Sequence, residues 1–188
     1  IQRDRRDDLF AATPPLDALK MLFSFAVTQG IGFEGDRRRG RKLEFIDVKR
    51  AYFDAEVTRE VYIQLPDEDY EEGMCGKLVK AMYGTRDAAQ NWENEYMRFM
   101  RDMGFSPGAS TPCVFVNSER DLRAVVHGDD FTILGRDADL NWFRERMKQR
   151  YEIKVKARMG PEDHDDKEVR VLNRIVRWGQ EGIEYEAD

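Results

Sequence analysis

VVHGDDFTILG, residues 125–135, sets two short apolar runs on either side of a turn, as in a β-hairpin, and places adjacent carboxylates, Asp129 and Asp130, just past the glycine. Strand interiors disfavour Asp. An uncompensated buried charge is costly, or shifts its pKa until it is neutral. Gly and Asp are also ordinary turn residues, so the tripeptide alone implies a turn. A chemical reading needs a second acid brought to the same tip.

Working outward, that second acid is Asp47, at the C-terminal end of the apolar run KLEFIDV (42–48), which reads as a strand. Upstream, PPLDALKMLFSFAVTQ (14–29) has the periodicity of a helix through Leu19, Leu22, Phe23 and Val27, with prolines at its start and Gly30 as its stop. A Gly-broken basic loop, GFEGDRRRGRK, follows; a short turn or helix, KRAYFDA, comes after the first strand. VYIQLP (61–66) and GKLVKAMY (76–83) alternate as strands around the acidic turn DEDYEEG. Asp87, with Gln90 three residues on, suits a capping box. Ala88, Trp92, Tyr96, Phe99 and Met103 then make a helical apolar stripe ending at Gly104.

CVFVNS (113–118) precedes the hairpin as another strand, and 137–150 reads as an amphipathic helix capped by Asp137. The late runs 151–157, 169–178 and 182–187 read as strands. Helix, strands, helix, hairpin, helix, strands is the order of an α+β layer, an antiparallel sheet packed against helices.

The totals suit a globular chain treated as one unit: 188 residues, 41% apolar and 36% charged. Two cysteines, Cys75 and Cys113, make no disulfide framework and point to a reducing compartment. The N-terminal IQRDRRDDLF is not a signal peptide, and the longest apolar run, MLFSFAV, is too short to span a membrane. The chain reads as an excerpt of something longer. A net charge of −6 argues against a general nucleic-acid surface. Arg144, Arg146, Lys148 and Arg150, with Lys154, Lys156 and Arg158, form either a local basic strip or a solvated helix face. His164 reads as part of a solvated loop.

If the strand 42–48 and the hairpin 122–134 are sheet neighbours, Asp47 and Asp129 converge. Converging carboxylates repel unless protonated or bridged by cations. Hard oxygen ligands suit Mg²⁺, which takes its remaining ligands from water and substrate phosphates. Two such ions serve phosphoryl transfer by activating the attacking oxygen and stabilising the leaving one.

The chain resembles the reverse transcriptase of copia-type retrotransposons from about residue 9 onward. The resemblance rests on four segments in order: DVKRAYFDAEVTREVYIQLP, CGKLVKAMYGTRDAAQNW, GFSPGASTPCVFV and HGDD. It implies a right-hand polymerase palm with 1–41 as an N-terminal helix and basic loop, 42–150 as catalytic core and 151–188 as strands of the palm–thumb junction. It makes Asp47, Asp129 and Asp130 the catalytic and metal-binding carboxylates, for two Mg²⁺ ions with Mn²⁺ as an alternative. Tyr52 matches the aromatic beneath the incoming sugar, and Tyr83 and Gly84 match the start of the nucleotide-side segment. Trp92 matches a packing aromatic. Implied partners are an RNA/DNA template-primer, dNTP, and the integrase and ribonuclease H regions of one polyprotein, without a membrane. The implied location is intracellular, in cytoplasmic particles with access to the nucleus.

The chain departs from the family where Y-V-D-D is expected, carrying His127-Gly128-Asp129-Asp130. It also departs at Thr85, Arg86, Asp87 and Ala89 in the middle segment. Basic fingers contacts to the triphosphate and a complete thumb lie outside the 188 residues, so the chain alone is expected to polymerise little or not at all. A viral-type RNA-dependent RNA polymerase palm, for which Gly-Asp-Asp is a hallmark, is the nearer alternative, but Tyr52 stands where such enzymes carry an Asp. A decayed, non-enzymatic remnant is the alternative from another class.

Overall fold

The computed structural model describes residue 14 and residues 16–187. Along the described chain run α1 (Leu16–Val27), β1 (Lys42–Val48), β2 (Tyr62–Ile63), β3 (Gly76–Lys77), α2 (Ala88–Asp102), β4 (Ser106–Pro107) and β5 (Val114–Asn117). They are followed by β6 (Leu122–His127), β7 (Asp130–Gly135), α3 (Asp137–Arg150), β8 (Ile153–Met159), β9 (Glu168–Val171), β10 (Arg174–Trp178) and β11 (Ile183–Ala187). The result is mixed α and β with antiparallel sheets. The chain divides into two compact units, one of Arg50–Phe99 and one of the described residues on either side of it.

The flanking unit is built on a six-stranded antiparallel sheet in the order β4-β5-β6-β7-β1-β8, beside a three-stranded sheet β11-β10-β9. Side chains alternate faces along a strand, and β1 is buried on both, which explains its nearly continuous burial. Leu43 and Phe45 join Leu19, Leu22 and Phe23 of α1 and Val169, Val176 and Trp178 of the small sheet in one apolar core. The opposite face of β1 meets α3, through the bond between Glu44 and Arg144; Leu140, Phe143 and Met147 of α3 are fully buried.

The first helix is shorter than its periodicity suggests, and the chain leaves it through Gly30 in the left-handed conformation, φ 81°. The stretch 169–178 is not one strand. Leu172 and Asn173 both adopt positive φ, 49° and 57°, the geometry of a tight two-residue hairpin turn. The strand expected at 151–157 begins two residues later, because Tyr151 still closes α3 by donating its N–H to the Met147 carbonyl. Asp137 is the first helical residue and not the cap; Arg136 holds the cap position. The Asp137 carboxylate instead bonds Lys42 at 2.9 Å and Arg158 at 3.0 Å.

Within Arg50–Phe99, the strands expected at 61–66 and 76–83 shrink to the two-residue partners β2 and β3. Tyr62 and Val79 remain exposed, at 55% and 75%. Alternation without a covering layer buries nothing and stabilises little. On α2, Trp92 and Tyr96 are buried and pack edge to face, 5.7 Å apart. Asp87 precedes this helix and its carbonyl accepts from Asn91 N–H at 2.9 Å. Its carboxylate takes Arg59 at 3.0 Å and the Asn91 amide at 3.3 Å.

Candidate active site

The six-stranded sheet brings the acids of β1 and the hairpin together. β1 pairs antiparallel with β7, and Asp47 stands opposite Asp130. The β6–β7 hairpin closes through Gly128 and Asp129, with His127 opposite Asp130. Gly128 turns the chain at φ 62°. The tip is tied to β1 by the Asp129 carbonyl, which accepts from Val48 N–H at 2.9 Å. Main-chain bonds thus fix where these acids stand.

On its other side β1 pairs with β8, and the register slips. Phe45 faces Ala157 while Ile46 faces Val155, leaving Lys156 as the extra residue of a β-bulge. A bulge breaks the alternation of faces and re-aims a side chain. Lys156, at this bulge, reaches the acids: its Nζ lies 3.0 Å from Asp47 Oδ1 and is also bonded to Asp130 Oδ1. One ammonium thus sits between two of the three sequence-identified carboxylates.

Asp129 completes the cluster electrostatically. Its carboxyl is pushed up from the ordinary range, first by burial and then by the charges of Asp130 and Asp47, while its own backbone bond and Lys156 pull the other way. The residue as a whole is exposed at the hairpin tip. For Lys156, burial opposes the charge, but the bonds to Asp130 and Asp47 outweigh it and raise the pKa. The donors are all carboxylate oxygens, and two already converge on one cationic group. They fit a hard divalent ion. Asp47, Asp129 and Asp130 are the residues that would hold it.

A second charged cluster lies on the α3 side of the sheet. Buried Glu44 accepts from Arg144 at 2.9 Å and Arg158 at 3.0 Å. Buried Lys42 bonds Asp165 at 2.7 Å, Glu162 at 2.5 Å and Asp137 at 2.9 Å. Burial opposes the Lys42 charge, yet these three acids hold its pKa far above normal. Arg144, Lys156 and Arg158, three of the seven basic residues read as either a local strip or a solvated face, are thus paired with acids. Glu162, His164 and Asp165 are spaced closely enough to suggest a metal site. The Lys42 ammonium already occupies the two carboxylates, and His164 is exposed with its Nε2 3.7 Å from each.

In the Arg50–Phe99 unit, Tyr52 and Tyr83 stack with ring centroids 4.4 Å apart, and Phe53 meets Tyr83 edge-on at 5.6 Å. Tyr83 is nearly half exposed, and Gly84 turns the chain at φ 91°. Two of the residues expected on the nucleotide side are thus direct neighbours.

Sequence reasoning left Lys156 in either a local basic strip or a solvated helix face and passed over its pairing with the acids. The available signal was the repeat Lys154, Lys156, Arg158 in a strand near an acid-bearing hairpin. Glu44 and Lys42 were also missed. Their signal was two charges inside a strand otherwise apolar enough to be covered on both faces.

Among the described residues no helix is long and apolar enough to cross a membrane. Residues 2–161 match the family described as reverse transcriptase (RNA-dependent DNA polymerase). The chain is 25% identical over 140 residues to the Retrovirus-related Pol polyprotein from transposon TNT 1-94 of Nicotiana tabacum, covering 71% of the chain and 10% of that polyprotein. It is 29% identical over 116 residues to the Pol polyprotein from transposon RE1 of Arabidopsis thaliana, covering 58% of the chain and 8% of that protein. It is 26% identical over 125 residues to the Transposon Ty1-DR4 Gag-Pol polyprotein of Saccharomyces cerevisiae, covering 64% and 7%. The matched stretch is thus a tenth or less of each relative's length. A hairpin bearing adjacent acids beside a strand that ends in a third, and a family match across most of the chain, have one common account: this chain belongs to the reverse transcriptase family, in its copia-type retrotransposon branch.

Proposed function

We propose that this chain is the palm of an RNA-directed DNA polymerase within a retrotransposon Pol polyprotein, acting beside that polyprotein's integrase and ribonuclease H regions. Residues 42–150 carry the catalytic core in this reading, and the place of work is intracellular and particle-associated. The reaction joins a primer 3′-oxygen to the α-phosphorus of a dNTP as pyrophosphate leaves. Asp47, Asp129 and Asp130 hold two Mg²⁺ ions. When bound, the ions supply a lowered pKa for the attacking hydroxyl and charge stabilisation of the leaving oxygen. The carboxylates position that charge, and the ladder bonds beneath them keep its place fixed. Tyr52 lies under the incoming sugar, with Tyr83 as its neighbour.

The observation that carries the reading is the sharing of one cationic group by Asp47 and Asp130, with Asp129 at the adjoining tip. The test is RNA-templated primer extension by a polymerase that includes this chain. Asp129→Asn keeps the volume but removes the charge a dication needs, so extension falls on the order of 100-fold or more. The unfolding midpoint stays close to wild type. An unchanged rate at saturating Mg²⁺ removes Asp129 from the site.

A further inference from the structure

We propose that Lys156 is a built-in counter-ion, which holds the cation position between Asp47 and Asp130 until a divalent metal takes it, and so weakens metal binding by the free protein. The inference rests on the metal-site reading above and adds a device to it. Three observations converge on it. The ammonium bonds both acids, which are opposite one another in the ladder. It stands at a one-residue bulge, where two residues of β8 oppose one of β1 and the regular pairing is interrupted. Neighbouring Lys154, opposite Asp47 in the same register, is exposed and makes no such bond.

Two cations cannot occupy one pair of carboxylate oxygens at short range. A metal bound through those same oxygens, Asp47 Oδ1 and Asp130 Oδ1, therefore displaces the ammonium, and the side chain that leaves is long enough to swing toward solvent, where it is already about a quarter exposed. Seating of Lys156 and of metal are mutually exclusive, and mutual exclusion is a coupling between the two. In the absence of metal the lysine keeps the acids from repelling one another. With metal it is released as a free cation at the edge of the site.

The test is Mn²⁺ binding by the 188-residue chain, read as the loss of the free-ion signal in electron paramagnetic resonance, without any assay of activity. Lys156→Met is expected to bind Mn²⁺ about five-fold more tightly or better, the lower end of usual coupling. Lys156→Arg, which keeps a cation in place, stays as weak as wild type or weaker. Lys156→Gln serves in place of Met if circular dichroism shows that the Met variant does not fold. Equal or weaker Mn²⁺ binding by a folded Met or Gln variant overturns the counter-ion role. Asp47→Asn and Asp129→Asn separate the two ideas. If they abolish Mn²⁺ binding while the Lys156 variants leave it unchanged, the metal site stands and the counter-ion falls. If they leave it unchanged, or if no variant binds Mn²⁺, both fall.

Discussion

Asp47 and Asp130 face each other across the β1–β7 ladder, and the only cation bonded to both among the described residues is Lys156. Like charges directly opposite in a sheet destabilise it by roughly 0.2–1 kcal/mol. The fold tolerates the pair because β8 delivers the ammonium. A site built in this way is costly for stability and useful for function, as charged sites commonly are.

Urea unfolding of metal-free protein measures that balance. Lys156→Met is expected to destabilise the chain, while Asp130→Asn alone is nearly neutral. In the double variant the loss is largely recovered. A coupling of about 1 kcal/mol, within the range for residues in contact, is expected from the double-mutant cycle. Strict additivity would mean that the ammonium does not stabilise the acids.

Lys42 is 2% exposed, and so is its partner side chain Asp165. Lys42→Met leaves a buried carboxylate without its cation and is expected to cost about 3–5 kcal/mol. Lys42→Met combined with Asp165→Leu should be milder than Lys42→Met alone, because no buried charge is stranded. Thermal unfolding of the two variants checks the ordering.

Gly160 sits against the same ion pair. A Cβ there would stand 2.4 Å from Asp165 Oδ2 and 2.8 Å from Lys42 Cγ. Gly160→Ala is expected to lower stability by about 1–3 kcal/mol, the usual cost of overpacking. In the Lys42→Met background the cost shrinks, since the pair it disturbs is already broken. Chemical denaturation of both backgrounds is the measurement.

Asp87 offers a pH signature. Burial raises its carboxyl pKa, but the bonds from Arg59, its own backbone and Asn91 outweigh this and leave it below the ordinary value. A lowered folded pKa means that its stabilisation is complete above the unfolded value and is lost as pH falls through the folded one. Asp87→Asn is therefore expected to lower stability at neutral pH and to flatten the loss of stability below about pH 4. Parallel acid limbs for the two proteins would contradict the pairing.

Tyr52 tests the sugar-side assignment. In an active, extended polymerase, Tyr52→Val should raise ribonucleotide relative to deoxyribonucleotide incorporation by roughly five- to 150-fold, the equivalent of 1–3 kcal/mol of steric exclusion. The ring also stacks on Tyr83 at 4.4 Å, so truncation loses an aromatic pair worth about 0.5–1.5 kcal/mol. Comparing kcat/KM for the two nucleotides separates gate from packing. A constant ratio with both rates lowered assigns Tyr52 to packing alone.

What could be read without coordinates was whatever depends on neighbours along the chain. The strand 42–48 and the helix 137–150 appear with the ends that their patterns indicated, because an apolar run or stripe of that length has one regular solution. The hairpin turns at Gly128 and Asp129, where a glycine relieves the positive φ and short polar residues suit the bend. The four ordered segments identified the family for the same reason: motif and spacing are properties of the chain itself.

Tertiary structure decided what lies across the sheet. Only the pairing of β1 with β7 and β8 sets Asp47 opposite Asp130 and brings Lys156, at the slip between Phe45 and Ile46, onto both. Lys154 and Lys156 are the same residue type two positions apart in one strand, yet one is exposed and the other bridges two acids. Local alternation assigns them the same face. The bulge that separates their fates arises from how β8 fits against β1, between residues more than a hundred positions apart, and no pattern along β8 encodes it.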